Sequence, residues 1–129
     1  MKKILILILI SFSTISIASE KKTTFNKQSF DEAQSQGKVV IVSSWIKYCS
    51  SCASQMKVLN EAKNNGKLLD IKFDEIEYFS FDVTNKEIAN LLNVKFQTTL
   101  LIFKNNKEVY RSIGETTKEK IYKAINSSI

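Results

Sequence analysis

Val39-Val40-Ile41-Val42 is an unbroken β-branched run. That is the pattern of a strand covered on both faces, not of one with a solvated side. Such a strand needs helices above and below it, and four segments have recognisable helix ends. In the first, Asn26 can cap, Phe25 and Phe30 stand at the two positions of a hydrophobic staple, and Gly37 supplies a left-handed stop. A second helix is expected from Cys49, with Cys52, Met56 and Leu59 forming one buried stripe and a stop near Asn65-Gly66. A third carries the pattern Thr84-x-x-Glu87 of a capping box, followed by Ile88, Leu91 and Leu92 on one face. The fourth repeats the box as Thr116-x-x-Glu119 ahead of Ile121, Ala124 and Ile125.

Between these helices lie further strand candidates, Tyr78 to Val83 and Thr99 to Phe103. Asn105-Asn106 offers a turn from the latter into Glu108 to Ile113, a hairpin. A short strand around Thr23 to Phe25 and a helical turn within residues 66–76 complete the expectation. Strands alternating with helices and closing on a hairpin predict an α/β fold: one central mixed β-sheet with helices on both faces. The 129 residues suit one domain, and 43% hydrophobic residues suffice for its core.

Residues 1–18 read as a secretory signal peptide: Lys2 and Lys3, the apolar run Ile4 to Ile10, and Ser16-Ile17-Ala18 as a cleavage site. The apolar part is short for a membrane span, so an uncleaved anchor is the lesser expectation. Residues 19–24 are a polar, flexible lead-in, and 25–129 form the domain. A periplasmic or secreted location follows, in a compartment where disulfides persist. The net charge of +6 is scattered along the chain. It reads as a solvated mixed surface, not as a nucleic-acid or membrane footprint.

The only two cysteines form Cys49-Ser50-Ser51-Cys52 after the buried strand and at a helix start. Redox exchange needs a thiolate, and a free thiol has a pKa near 8.5. Unpaired N–H groups at a helix N-terminus stabilise that anion. A spacing of three puts the second sulfur one turn away, within reach of a mixed disulfide made by the first. Ser50 and Ser51 could add hydroxyl donors, and Lys47 could lower the Cys49 pKa. A zinc site would need four ligands, and there is no His and no third Cys. A purely structural disulfide would close too small a loop to stabilise much.

Trp45-Ile46-Lys47-Tyr48-Cys49-Ser50-Ser51-Cys52 resembles the thioredoxin-family active site, W-x-x-W/Y-C-x-x-C. Thr99-Leu100-Leu101-Ile102-Phe103-Lys104-Asn105 is similar to the family's T-L-L-L-F-K-N strand and turn, and Gly114 falls at the family's glycine after the last strand. The resemblance covers Phe25 to Ile125. It implies a thioredoxin fold with Cys49 as nucleophile and Cys52 as resolving thiol, acting without cofactor or metal on protein disulfides. It favours a reductant, which in an oxidising space needs a membrane redox partner. A monomer is expected. Two other readings stand beside this one: a metal (copper) chaperone on the same fold, and a non-catalytic binding module with a structural disulfide.

The chain departs from the family pattern in three places, having no proline at all. The family's cis-proline is Thr98; a cis bond there would cost roughly 3–4 kcal/mol, so a trans Gln97–Thr98 bond is expected, with the Thr98 hydroxyl beside the sulfurs. The family's buried acid, two residues before the tryptophan, is Ser43. Lys57 replaces a helix-kinking proline. Trp45, Tyr48, Gln97 and Thr98 are the candidate client-contacting residues. Trp45 and Tyr48 read first as packing around the site, and Met56 as core.

Overall fold

The structure, a computed structural model, describes residues 21–64 and 75–129. The signal segment, the helix stop near Asn65-Gly66 and nearly all of the 66–76 stretch lie outside them. The elements run α1 (Lys27–Ser35), β1 (Val39–Trp45), α2 (Ser50–Asn64), β2 (Ile76–Asp82), α3 (Lys86–Leu91), β3 (Thr99–Lys104), β4 (Lys107–Ile113) and α4 (Lys118–Asn126). This is the predicted order. Strands pair as β2-β1-β3-β4, with β1 parallel to β2 and antiparallel to β3, and β3 antiparallel to β4.

β1 occupies an interior position in the sheet, and all of it is buried. Its side chains alternate between two cores. Val40 and Val42 face Phe25, Phe30, Phe79, Phe81, Ala89 and Leu101 on the α1/α3 side. Val39 and Ile41 face Leu59, Ile76, Leu100, Ile121 and Ile125 on the α2/α4 side. The first core is aromatic: the Phe25 and Phe30 rings of the expected staple lie 5.3 Å apart, and Phe30 meets Phe103 edge-on at 5.0 Å.

Turn chemistry fixes where the elements stop. Asn26 caps α1 by accepting the Ser29 N–H. Gly37, at φ +73°, ends it, with Lys38 N–H bonding Ala33 O and Gly37 N–H bonding Gln34 O, the Schellman pattern. Asn93, at φ +52°, does the same for α3. Asn105 and Asn106 both have positive φ, as a tight hairpin turn with right-handed strand twist requires.

Both expected capping boxes are displaced by one residue. Asn85, not Thr84, caps α3 by accepting the Ile88 N–H, because the Thr84 N–H and hydroxyl are bonded to Asp82. Thr117 starts α4 without a side-chain bond of its own; the Glu115 carboxylate accepts its N–H instead. Leu91 is 51% exposed, so the buried face of α3 rests on Ala89 and Leu92. The stretch read as a lead-in is bonded to the free edge of β2: Thr24 and Phe25 N–H groups reach Ser80 O, and Thr24 Oγ1 accepts the Ser80 N–H. No regular strand forms there.

Candidate active site

The site stands where β1 gives way to α2. Tyr48 adopts φ +63°, a costly region for a bulky side chain, and the chain turns sharply so that Cys49 becomes the helix cap. The Cys49 carbonyl accepts the Ala53 N–H at 3.2 Å, and its Sγ accepts the Cys52 N–H, also at 3.2 Å. A sulfur thus takes the place that a Ser or Asp oxygen takes at an ordinary N-cap. The same N–H would hold a thiolate once the bond is reduced. Cys49 and Cys52 are joined as a disulfide. Their surroundings differ: Cys49 is half-buried and Cys52 fully buried. Access therefore favours attack at Cys49.

The loop carrying Thr98 closes over the pair. Gln97–Thr98 is trans, and Thr98 has φ +59°. Its Oγ1 lies 3.2 Å from Cys52 Sγ, 3.6 Å from Cys49 Sγ and 3.0 Å from Ser51 Oγ, and Ser51 Oγ lies 3.4 Å from Cys49 Sγ. The hydroxyl is thus beside both sulfurs, as expected from the position it takes over. Several bonds hold the loop there. Thr98 N–H donates to Ser44 O, Thr99 N–H to Ser44 Oγ, and Ser44 Oγ to Phe96 O. On the other side Thr98 O accepts from Gly114 N–H and from the Gln55 amide, which also donates to Glu115 O.

Ser44, Gln55 and Lys21 were not singled out in the sequence. Gln55 could have been: it is fully buried, one turn after Cys52 on the same stripe. Lys21 carries no local signal, yet its ammonium donates to Cys49 O at 2.8 Å and Ile46 O at 3.2 Å. The cation beside Cys49 is therefore Lys21. Lys47, the residue expected there, instead stands 5.1 Å from the Tyr48 ring centroid.

The four candidate client-contacting residues occupy different places. Trp45 is buried and packs with Cys52 and Met56. Tyr48 is 91% exposed, so it is not packing, contrary to the first reading. Gln97 is exposed, and Thr98 is buried against the sulfurs. Ser43 is buried, its Oγ 2.6 Å from the Tyr78 hydroxyl. Burial pushes the Tyr78 phenol up to about 12, the bond from Ser43 partly opposing it. Helix α2 runs without interruption past the exposed Lys57. Among the described residues no three His, Cys, Asp or Glu side chains gather as metal ligands.

A disulfide across the first turn of a helix, one sulfur reachable and the other enclosed, defines a thiol–disulfide oxidoreductase. The thioredoxin family model matches residues 21–127, and the chain belongs to the thioredoxin family. It is 31% identical over 104 residues to the thioredoxin of Bacillus subtilis, covering 79% of this chain and 92% of that one. It is 30% identical to the chloroplastic thioredoxin Y of rice, Oryza sativa subsp. japonica, covering 84% of this chain but only 61% of the rice protein. Among solved structures, Trxlp from Edwardsiella tarda superposes with a TM-score of 0.66 at 25% identity, covering 78% of this chain and 94% of that one.

Proposed function

We propose that the protein exchanges disulfides with protein clients outside the cytoplasm, and does so as a reductant. The observation that carries the exchange is the unequal pair: Cys49 half-buried on the N-cap with an N–H on its sulfur, Cys52 buried behind it. The Cys49 thiolate attacks a client disulfide and forms a mixed disulfide; Cys52 then attacks Cys49 and frees the reduced client. Tyr48, next to Cys49 in the chain, and Gln97, next to Thr98, are exposed and are the side chains a client would meet. Support for an extracytoplasmic location is the N-terminal pattern of Lys2-Lys3, apolar run and small-residue cleavage site. A reductant in an oxidising compartment must be re-reduced, so a membrane-embedded dithiol donor is its partner, and it works as a monomer.

The deciding measurement is the reduction potential of the Cys49–Cys52 couple. A value near the roughly −270 mV of a reducing thioredoxin supports the proposal, and one near the −120 mV of a strong oxidant reverses its direction. A value below about −300 mV marks a structural bridge. Titration of thiolate absorbance should place Cys49 below the free-thiol pKa of about 8.5; a value at or above it removes Cys49 as nucleophile.

A further inference from the structure

Cys52 presents a problem that its position in the fold does not solve. To attack the mixed disulfide it must lose a proton, and its side chain has no exposure to solvent. The acid expected two residues before the tryptophan is Ser43, which is not a base at neutral pH. The Ser43 hydroxyl is engaged with Tyr78, and that phenol keeps its proton far above neutrality.

What does touch Cys52 Sγ is the Thr98 hydroxyl at 3.2 Å; Ser51 Oγ stands 3.0 Å beyond it, on an exposed residue. We propose that Thr98 and Ser51 form a two-hydroxyl proton outlet from the resolving thiol to solvent. Each hydroxyl can accept one proton while giving up its own, so the pair conducts without becoming charged. Thr98 is held for this role in an unfavourable conformation. A β-branched residue at φ +59° is an outlier, and such strain persists only where the surroundings over-determine it. Ser44, Gly114 and Gln55 supply that determination.

The step balances as follows. In the mixed disulfide the client sulfur is bonded to Cys49 Sγ. The Cys52 proton passes to Thr98 Oγ1, the Thr98 proton to Ser51 Oγ, and the Ser51 proton to water. The electron pair left on Cys52 Sγ forms the Cys52–Cys49 bond. The Cys49–client bond breaks with its pair on the client sulfur, which leaves as a thiolate and is protonated by solvent. The protein dithiol is oxidised by two electrons and the client disulfide is reduced. Run in the other direction, the same path returns the proton to Cys52.

The inference rests on Cys49 as attacking and Cys52 as resolving sulfur, and the experiment separates the two claims. The reduced full-length chain is mixed with 5,5′-dithiobis(2-nitrobenzoate) in a stopped-flow instrument. The first thionitrobenzoate released reports attack by Cys49; the second reports ring closure by Cys52. Thr98→Val, which keeps the branched shape and loses the hydroxyl, should lower the rate of the second phase relative to the first at least about tenfold. The slowed phase should become steeply dependent on pH, since hydroxide must now reach the thiol directly. Thr98→Ser should restore both rate and pH profile. Ser51→Ala, on an exposed side chain, should slow the second phase about threefold, water partly replacing the lost hydroxyl; this variant keeps the test alive if Thr98→Val does not fold. A wild type that releases only the first thiol overturns the assignment of Cys52, and the outlet with it. A wild type that releases both, with Thr98→Val or Ser51→Ala matching it, overturns the outlet alone.

Discussion

Strand β1 is buried along its whole length, but its two halves differ in composition. Val39 to Val42 are aliphatic and fill the two cores; each such side chain contributes about 1.5–3 kcal/mol by leaving water. Ser43 and Ser44 are as deeply enclosed, and Trp45 nearly so, but the two serines contribute less. A paired buried hydroxyl nets roughly 0.5–1.5 kcal/mol. These three residues fix neighbours: Ser44 ties down the Thr98 loop, Trp45 backs Cys52, and Ser43 holds Tyr78. Equal burial therefore serves stability in one half and positioning in the other. The redox pair follows the second half because that is where polar atoms are already inside the fold.

The sharpest way to break this division is to change one residue from each side of it. Cys49→Ser should abolish client reduction while leaving the denaturant melt within about 1 kcal/mol of the reduced wild type. Cys52→Ser should trap mixed disulfides with clients, visible on non-reducing gels, and Cys49→Ser should trap none; the opposite pattern would exchange their roles. Ile41→Ala, four residues upstream of Trp45, should cost about 2–5 kcal/mol and leave the exchange rate of the folded fraction unchanged. Equal loss of rate in both classes would mean that the halves of β1 are not separable.

Ser44→Ala is the intermediate test. It strands the Thr99 N–H in a buried setting, at a cost of about 1–3 kcal/mol. Because the same hydroxyl braces Phe96 O, it should also loosen the Thr98 loop. A melt combined with the second phase of thiol release should show both losses; a change in the melt alone would confine Ser44 to stability. Ser43→Asp should move in opposite directions on the two readouts. A carboxylate there offers a proton acceptor and should speed resolution near neutral pH. Burying the neutral carboxyl costs about 1–3 kcal/mol, and burying its charged form costs more. Burial also raises the folded-state carboxyl pKa, so the protonated form is the better tolerated and the penalty grows as pH rises through that value. An unchanged rate would show that proton transfer at this position is not limiting.

The aliphatic half of β1 was plain in the sequence, as were the staple, the Gly37 stop, the Asn105-Asn106 turn and the cysteine pair. Each is a signal between neighbours in the chain. The polar half was legible only through the resemblance of its motif. Ser44 touches a loop 52 to 55 residues away, and Lys21 reaches Cys49 across 28, and no periodicity announces such bonds. The two displaced caps teach the same point at short range. Thr84 and Thr116 match the capping pattern, but Asp82 takes the first hydroxyl and Glu115 supplies the second cap. Competition among nearby acceptors decides the cap, and a pattern of residue types does not encode the outcome.

The smallest effect concerns Glu115, where the polar contacts of the site meet the surface. Its backbone oxygen accepts the Gln55 amide, and its carboxylate accepts the Thr117 N–H at 2.8 Å, at the start of α4. That backbone bond is the main cause holding its carboxyl below the usual range, opposed by partial desolvation and assisted by Lys120. A folded-state pKa below the unfolded one means a contribution fully present above the ordinary carboxylate pKa. It is lost as pH falls through the depressed value. Glu115→Gln keeps an acceptor for Thr117 but removes the charge that favours a helix N-terminus, so neutral-pH stability should fall by no more than about 1 kcal/mol. The wild type and the variant should then converge as pH drops below the carboxylate range, since protonated Glu and Gln are nearly equivalent there. Urea melts at neutral and acidic pH measure the convergence. Glu115→Ala does break the bond, and the same kind of bond that costs about 1–3 kcal/mol to break behind β1 should here be barely measurable, because water can reach the freed N–H. A loss at Glu115 as large as that at Ser44 would mean that burial is not what separates the two.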